Sequence, residues 1–134
     1  PPKAKESAFA MIDAGADVLY AERFGVADAA VERGKKAIGN VIDTASDYPG
    51  TILASALWHM EATIDTAVSA VADGSYIADD YSQYSYMAHN GGSLTIDKTL
   101  VPASIVAAIE AKEAAIRNGS FVVTINDETP VSDN

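Results

Sequence analysis

Apolar residues in the first half of the chain repeat in a way that predicts alternating helices and strands. The predicted elements, in order, are a helix over 4–14, a strand over 17–20, a helix carrying Val26, Ala27, Ala30 and Val31, and a strand over 37–42. Gly15 and Gly34 follow the two helices and are typical stop signals. Helices and strands that alternate at this spacing are typical of a parallel sheet with helices on its faces. The pattern therefore predicts an α/β fold.

The second half of the chain continues this pattern with one interruption. The predicted elements are a polar loop over 43–50, a strand over 51–57, a helix over 61–72 with Ile64, Ala67, Val68 and Val71 in register, a turn at Gly91-Gly92 before the segment 93–96, a helix that Pro102 opens and Gly119 ends, and a strand over 121–125. Between 75 and 90, tyrosines alternate with Asp and Ser without a clear period, so we predict an irregular segment that could include short strands. The polar tail 126–134 is expected to fray.

Composition and charge narrow the class of protein. The chain has 134 residues, 49% of them hydrophobic and 21% charged, which predicts a single folded domain. Nine basic and nineteen acidic residues give a net charge of −10, which repels phosphate backbones and anionic lipid, so nucleic acid is not an expected partner. No apolar run approaches the roughly 20 residues that span a bilayer.

Motifs for metal binding or catalysis are missing from the sequence. The chain has no cysteine, and its two histidines, His59 and His89, lack a metal-ligand spacing, so no metal and no cofactor are expected. The sequence contains no GxSxG elbow, P-loop or GxGxxG. We therefore expect a protein that is not an enzyme and has no catalytic residues. A purine-acting hydrolase with Glu22 or Asp43 as general base is the weaker alternative.

The strand order predicts where a ligand would bind. Parallel α/β sheets bind ligands at the carboxyl ends of their strands, because loop amides and helix N-termini converge there. A mixture of carboxylates, a guanidinium and aromatic rings at that edge suits a flat, nitrogen-rich ligand, which stacks on the rings and donates N–H groups to the carboxylates. The ligand-binding positions that this rule selects are Tyr20, Glu22, Arg23, Phe24, Asp43 and Trp58.

All of these positions except Phe24 also have a purely structural interpretation. Trp58 could be a core or interface residue, and Asp43 could cap a helix or turn. Glu22 and Arg23 could be solvated loop charges that pair with each other, and Tyr20 could be a partly buried sheet residue. The sequence leaves both sets of interpretations open.

Several segments, taken in order, resemble those of one family of proteins. The resembling segments are 3–8 followed by Gly15-Ala16-Asp17-Val18-Leu19; Ala37-Ile38-Gly39 followed by Asp43 and Pro49; 53–58, which ends in Trp58; the turn Asn90-Gly91-Gly92; and Val101-Pro102 with the helix that follows. In this order they resemble the basic membrane protein (BMP) family of substrate-binding lipoproteins. The resemblance extends over most of the chain.

The resemblance implies a fold, a function and partners. Members are solute-binding proteins of ABC importers with the type I periplasmic-binding-protein fold, in which two α/β lobes close on a purine base or nucleoside. It implies that Asp43 is a ligand-binding aspartate, that Trp58 is a pocket residue and that 22–25 is a ligand-contacting loop. It also implies ABC permease and ATPase subunits as partners, and a parent protein that is lipid-anchored in the periplasm or at the cell surface.

The chain departs from the family pattern at two places. The segment 21–25 reads Ala-Glu-Arg-Phe-Gly where many members have A-G-x-x-G, and 39–44 lacks the first aspartate and the glutamine of GVDxDQ. An adenine-like base or another small heterocycle is thus as compatible with the resemblance as a nucleoside.

The opening of the chain bears on its domain organisation. It begins on a helical pattern without a leading strand, so we expect residues 1–134 to be the C-terminal portion of a two-lobe protein whose N-terminal lobe is missing. Apolar surface left uncovered in that way would favour a homo-oligomer. The alternative function from a different class is a ligand-sensing regulatory domain of the same fold.

Overall fold

The fold was examined in a computed structural model that describes residues 2–124 and 128–129. Its helices and strands are α1 (Pro2–Asp13), β1 (Val18–Ala21), α2 (Val26–Glu32), β2 (Lys36–Val41), β3 (Ile52–Trp58), α3 (Glu61–Asp73), β4 (Gly92–Ile96) and α4 (Ala103–Arg117), with two short 3₁₀ turns at Ser82–Ser85 and Met87–His89. The alternation predicted from the apolar pattern is therefore present.

One mixed sheet organises the molecule. Its strand order is β1-β2-β3-β4, with β1, β2 and β3 parallel and β4 antiparallel to β3. Helix α2 connects β1 to β2, whereas β2 and β3 are joined by the loop 42–51 without a helix. The predicted class, an α/β fold with a largely parallel sheet and flanking helices, is confirmed.

The core lies where α1 packs on α2 and α2 packs on β1 and β2, with Ile52 of β3 in the same cluster. Its buried residues are Ala8, Ile12, Leu19, Ala27, Ala29, Ala30, Ala37 and Ile52. Five of them are alanines, and their small side chains let the helix backbones approach the sheet closely. Ile52 is the largest hydrophobic side chain that is fully buried, and its burial stabilises the fold by about 1.5–3 kcal/mol.

Helix α3 forms as predicted, but its apolar stripe faces outward. Ile64, Val68 and Val71 are 53%, 61% and 62% exposed, and α3 has no buried residue. Apolar spacing indicates which side chains share a face of a helix, but it does not specify what covers that face. Among the described residues no helix is long and apolar enough to cross a membrane.

One prediction for the second half of the chain needs correction. The segment 75–90 is irregular as predicted, with 3₁₀ turns and without the short strands that it could have included. The strand predicted over 121–125 is wrong for 121–124, where the Phe121 N–H donates to the Ala115 carbonyl at 3.0 Å and the Lys112 ammonium lies 3.8 Å from the Phe121 ring centroid. These contacts fold the segment back onto the end of α4. Ile125 and most of the tail predicted to fray lie outside the described residues.

Candidate functional site

A pocket of about 450 Å³ opens where β1 and β2 end. It is lined by Ala21, Glu22, Arg23, Phe24, Gly25 and Ala27 from the β1 side, and by Gly39, Asn40, Val41, Ile42, Thr44 and Tyr48 from the β2 side. This position is the carboxyl edge of the parallel part of the sheet, where the strand order predicts a ligand site. Its lining is mostly apolar, with a few polar groups, as small-molecule pockets usually are.

The loop after β1 supplies one wall of the pocket. The Glu22 N–H donates to the Tyr20 carbonyl at 3.0 Å, which turns the chain sharply as the strand ends. Glu22 and Arg23 form an exposed ion pair at 2.7 Å, so together they add little net charge. Phe24 is 82% exposed and therefore has a ring free to contact a ligand. All three residues line the pocket.

The end of β2 supplies the opposite wall through an unusual turn. Val41 has a φ of 73°, and the Ile42 N–H donates to the Asn40 carbonyl at 3.0 Å. A three-residue turn with positive φ at its centre is rare and strained, above all for a β-branched residue. The Tyr20 hydroxyl donates to Asn40 Oδ1 at 2.9 Å, so Tyr20 borders the site through Asn40 but does not line this pocket.

Asp43 lies directly after this turn, between the lining residues Ile42 and Thr44 but not itself part of the pocket lining, and it holds the loop together. Its Oδ1 accepts hydrogen bonds from the Ala45 N–H at 3.0 Å and from the Ser55 hydroxyl at 3.3 Å. Within 2–124, no hydrogen bond reaches Oδ2. Asp43 therefore stabilises the turn through Oδ1, as predicted for a turn-capping aspartate, and its Oδ2 can accept a hydrogen bond from a further donor.

Gly39 makes this arrangement possible. A Cβ at that position would lie 2.5 Å from the Ser55 hydroxyl oxygen and 2.8 Å from Thr44 Oγ1. Ser55 is fully buried, so it cannot move aside into solvent. The glycine thus lets the two hydroxyl groups approach the β2 backbone beside Asp43.

Tyr48 closes the pocket from the loop 42–51. Its hydroxyl donates to Asp28 Oδ1 on α2 at 3.1 Å. Burial raises the pKa of the Tyr48 phenol, and the hydrogen bond to Asp28 raises it further. The sequence gives no sign of this role, because Tyr48 lies in a loop whose path is set by tertiary contacts.

Trp58 lies apart from the pocket. It is the last residue of β3, pairs with Gly92 of β4 and is 59% exposed. The neighbouring His59 is hydrogen-bonded to the Ser93 hydroxyl at 2.7 Å. Across the described part of the chain, no three His, Asp or Glu side chains lie together as a metal site.

The geometry defines an open α/β fold with a pocket at its strand ends, and comparisons with known proteins agree with that class. The chain is similar to a transcriptional activator of the comK gene from Bacillus halodurans, with TM-score 0.70 and 24% identity over 89% of this chain and 43% of that one. It is also similar to an ABC transporter solute-binding protein from Conexibacter woesei, with TM-score 0.60 and 21% identity over 91% of this chain and 42% of that one.

A third similar structure is an ABC transporter solute-binding protein from Aeropyrum pernix, with TM-score 0.69 and 16% identity over 93% of this chain and 45% of that one. These likenesses show that the chain shares the fold of part of each of these proteins, two of which are solute-binding proteins. The chain spans less than half the length of each of these structures. No family model matches it, and no curated protein matches it in sequence.

Proposed function

We propose that the chain is part of the solute-binding component of an ABC importer and helps to capture a purine base or nucleoside. The observation that carries the proposal is the pocket of about 450 Å³ at the ends of β1 and β2. Its volume suits a small heterocycle, and its position is the one that parallel sheets use for ligands. The fold shared with solute-binding proteins supports the same function.

The proposed recognition uses one aromatic face and one carboxylate. The exposed Phe24 ring stacks on the base, and Asp43 Oδ2 accepts one of its N–H groups. Glu22 and Arg23 border the base as a neutral pair. Trp58 and Tyr20 stay proposed ligand contacts. Both, like Asp43, lie outside the lining of this pocket, and the substitutions of Trp58 and Asp43 below test contact with the solute.

The proposed mechanism is capture without chemical change of the solute. In the proposed parent protein, a second lobe closes over the pocket and an ABC permease with its ATPase carries the solute across the membrane. The parent would act in the periplasm or at the cell surface, held by a lipid anchor. Incubation with purines should therefore return the purine unchanged, and the appearance of a hydrolysis product would instead support Glu22 or Asp43 as a general base.

Calorimetry with adenine, hypoxanthine and guanosine on the full gene product tests the proposal. Phe24→Ala should weaken binding by about ten-fold to a hundred-fold, because a base stacked on an aromatic ring contributes about 1–3 kcal/mol. Asp43→Asn should cost about ten-fold and change the preference among purines, because an amide presents a donor where the carboxylate only accepts. Trp58→Ala tests the contact implied by family resemblance.

Tyr76→Ala is the matched control for the aromatic substitutions, because Tyr76 is exposed and lies outside the pocket. Its affinities should equal those of the unaltered protein. The purine proposal fails if no purine binds, or if Phe24→Ala and Asp43→Asn bind every purine as tightly as the control does.

The second candidate is a ligand-sensing regulatory domain. It is favoured by the likeness to the transcriptional activator from Bacillus halodurans, whose fold this chain shares. Both candidates use the same pocket, so ligand binding does not separate them. The location of the protein in the cell separates the two candidates. Export from the cytoplasm supports solute capture. A cytoplasmic protein that is joined to a DNA-binding segment and binds operator DNA supports regulation.

A further inference from the structure

The outward stripe of α3 is an apolar surface that the described residues leave uncovered. Ile64, Val68 and Val71 follow each other at i, i+4 and i+7, a spacing that puts them on one face of the helix. All three are more than half exposed. Adjacent apolar side chains left in solvent, unlike single ones, mark interaction surfaces.

Unpaired carboxylates flank this stripe. Glu61 and Asp65 lie one turn apart along one side of it, and Asp79 and Asp80 follow beyond the end of α3. The sequence has no Lys or Arg between residues 37 and 97. All ion pairs among the described residues involve side chains outside that range. Among the described residues, the carboxylates of this surface therefore form no ion pair.

An aromatic pair follows the end of α3. The Tyr76 and Tyr81 rings are parallel, with centroids 5.9 Å apart and an interplanar angle of 5°. Tyr76 is half exposed, and its neighbour Ile77 is 63% exposed. Exposed tyrosine rings and exposed carboxylates both suit arginine, because its guanidinium can stack on a ring and pair with a carboxylate.

We propose that this surface docks a basic surface of another protein, one with apolar side chains at its centre and Lys or Arg at its rim. We call it the α3 surface and define it by Ile64, Val68, Val71 and Tyr76 with the flanking Glu61 and Asp65. Charge complementarity selects the partner. Two α3 surfaces would bring carboxylates against carboxylates, and anionic lipid or nucleic acid would be repelled in the same way. The surface lies on a different element from the solute pocket, so the two proposals stand independently.

Two synthetic helical peptides of equal length serve as probes, one with a leucine stripe and lysines elsewhere, the other with the lysines replaced by glutamates. We expect the lysine peptide to bind the full gene product, more weakly as salt is raised, and the glutamate peptide not to bind; a full gene product that binds neither peptide would overturn the proposal. Replacing Ile64, Val68 and Val71 together by alanine should weaken binding by about ten-fold or more, since the apolar contact is lost. Alanine favours the helix, so circular dichroism should show α3 retained.

Charge reversal separates docking from general attraction to an acidic protein. Glu61→Lys with Asp65→Lys should weaken binding of the lysine peptide by about ten-fold. Glu6→Lys with Glu113→Lys makes the same change in net charge on α1 and α4 and should leave the affinity within about two-fold. Equal losses in the two double variants would overturn the proposal. So would a concentration-dependent dimer that the triple alanine variant abolishes, because the occupant would then be a second copy.

Discussion

Val41 has the least favourable backbone conformation for its residue type in the described part of the chain. Its φ of 73° is one of two positive values among the described non-glycine residues, the other being Asn90. Asparagine tolerates this region, whereas a β-branched side chain is strained there. Val41 lines the pocket, and strain of this kind is often found at binding sites.

Val41→Gly should raise the free energy of unfolding by about 1 kcal/mol, because glycine adopts positive φ without strain. Urea denaturation followed by circular dichroism measures the change. Ala21→Gly, at the corresponding end of β1 where φ is not positive, is the control and should lower stability by about 0.5–1 kcal/mol. A Val41→Gly protein that is no more stable than the control would mean that the turn is not strained.

Gly39→Ala should destabilise the fold by about 1–3 kcal/mol, because the added methyl group overpacks the site against Ser55 and Thr44. The same denaturation experiment measures it. Combining it with Ser55→Gly should recover part of the loss, since the closest obstructing atoms belong to Ser55. If the two substitutions are simply additive, the close approach of Ser55 to Gly39 does not limit stability.

At the scale of elements, the loop 42–51 takes the place of the helix that usually joins parallel strands. Tyr48 attaches this loop to α2 through Asp28, and the Thr51 carbonyl accepts from the Ala37 N–H at 3.0 Å as β3 begins. The loop is therefore held by a few contacts, and its stability depends on the hydrogen bond that the Tyr48 hydroxyl donates to Asp28.

Tyr48→Phe should lower stability by about 1 kcal/mol at neutral pH, the usual contribution of a hydrogen bond. Burial and the bond to Asp28 raise the pKa of this phenol above its ordinary value near 10. Its contribution is thus complete below about pH 10 and is lost as pH rises through the folded-state pKa. As pH rises above about 10, the unfolding free energy of the variant should fall less steeply than that of the Tyr81→Phe control.

The elements that the sequence predicted well are those with a clear period and a stop signal. The helix that ends before Gly15 and the strand over 37–42 are examples. The strand predicted over 121–125 fails across 121–124 because the apolar run there packs on α4, a tertiary contact that the local pattern does not contain.

The candidate site was predicted only as far as strand ends could be located. Glu22, Arg23 and Phe24 line the pocket because they follow β1 directly. Val41 and Tyr48 were missed, since a positive φ at valine and the path of a loop leave no mark in residue type or spacing. Trp58 was selected by the same rule but ends a strand two positions away from β1 in the sheet, beyond the pocket lining.

At the scale of the whole molecule, exposed carboxylates make the stability of the fold depend on pH. The Lys35 ammonium lowers the pKa of Asp17, and hydrogen bonds from Ser82 and Thr99 lower the pKa values of Asp80 and Asp97. These groups bind protons more weakly in the folded chain than in the unfolded one. Their stabilising contribution is therefore present above about pH 4 and is lost as pH falls through the folded-state values.

We expect the melting temperature to decrease as pH is lowered from 4 toward 2, by calorimetry in buffers of constant ionic strength. Asp97→Asn should remove part of that decrease, because Asp97 accepts from both the hydroxyl and the N–H of Thr99. Glu6→Gln, on the exposed face of α1, should leave the acid decrease unchanged.

The stretch without Lys or Arg also governs how trypsin acts on the protein. Trypsin cleaves after these residues. A complete digest therefore releases residues 37–98 as one acidic peptide, whether or not the chain was folded, and this peptide includes β3, α3, β4 and the Asp43 loop. Resistance of this stretch to trypsin results from its lack of Lys and Arg and is not evidence that it is folded. Chymotrypsin can cleave at the tyrosines at 76, 81, 84 and 86, so it is the protease that can detect local unfolding around α3.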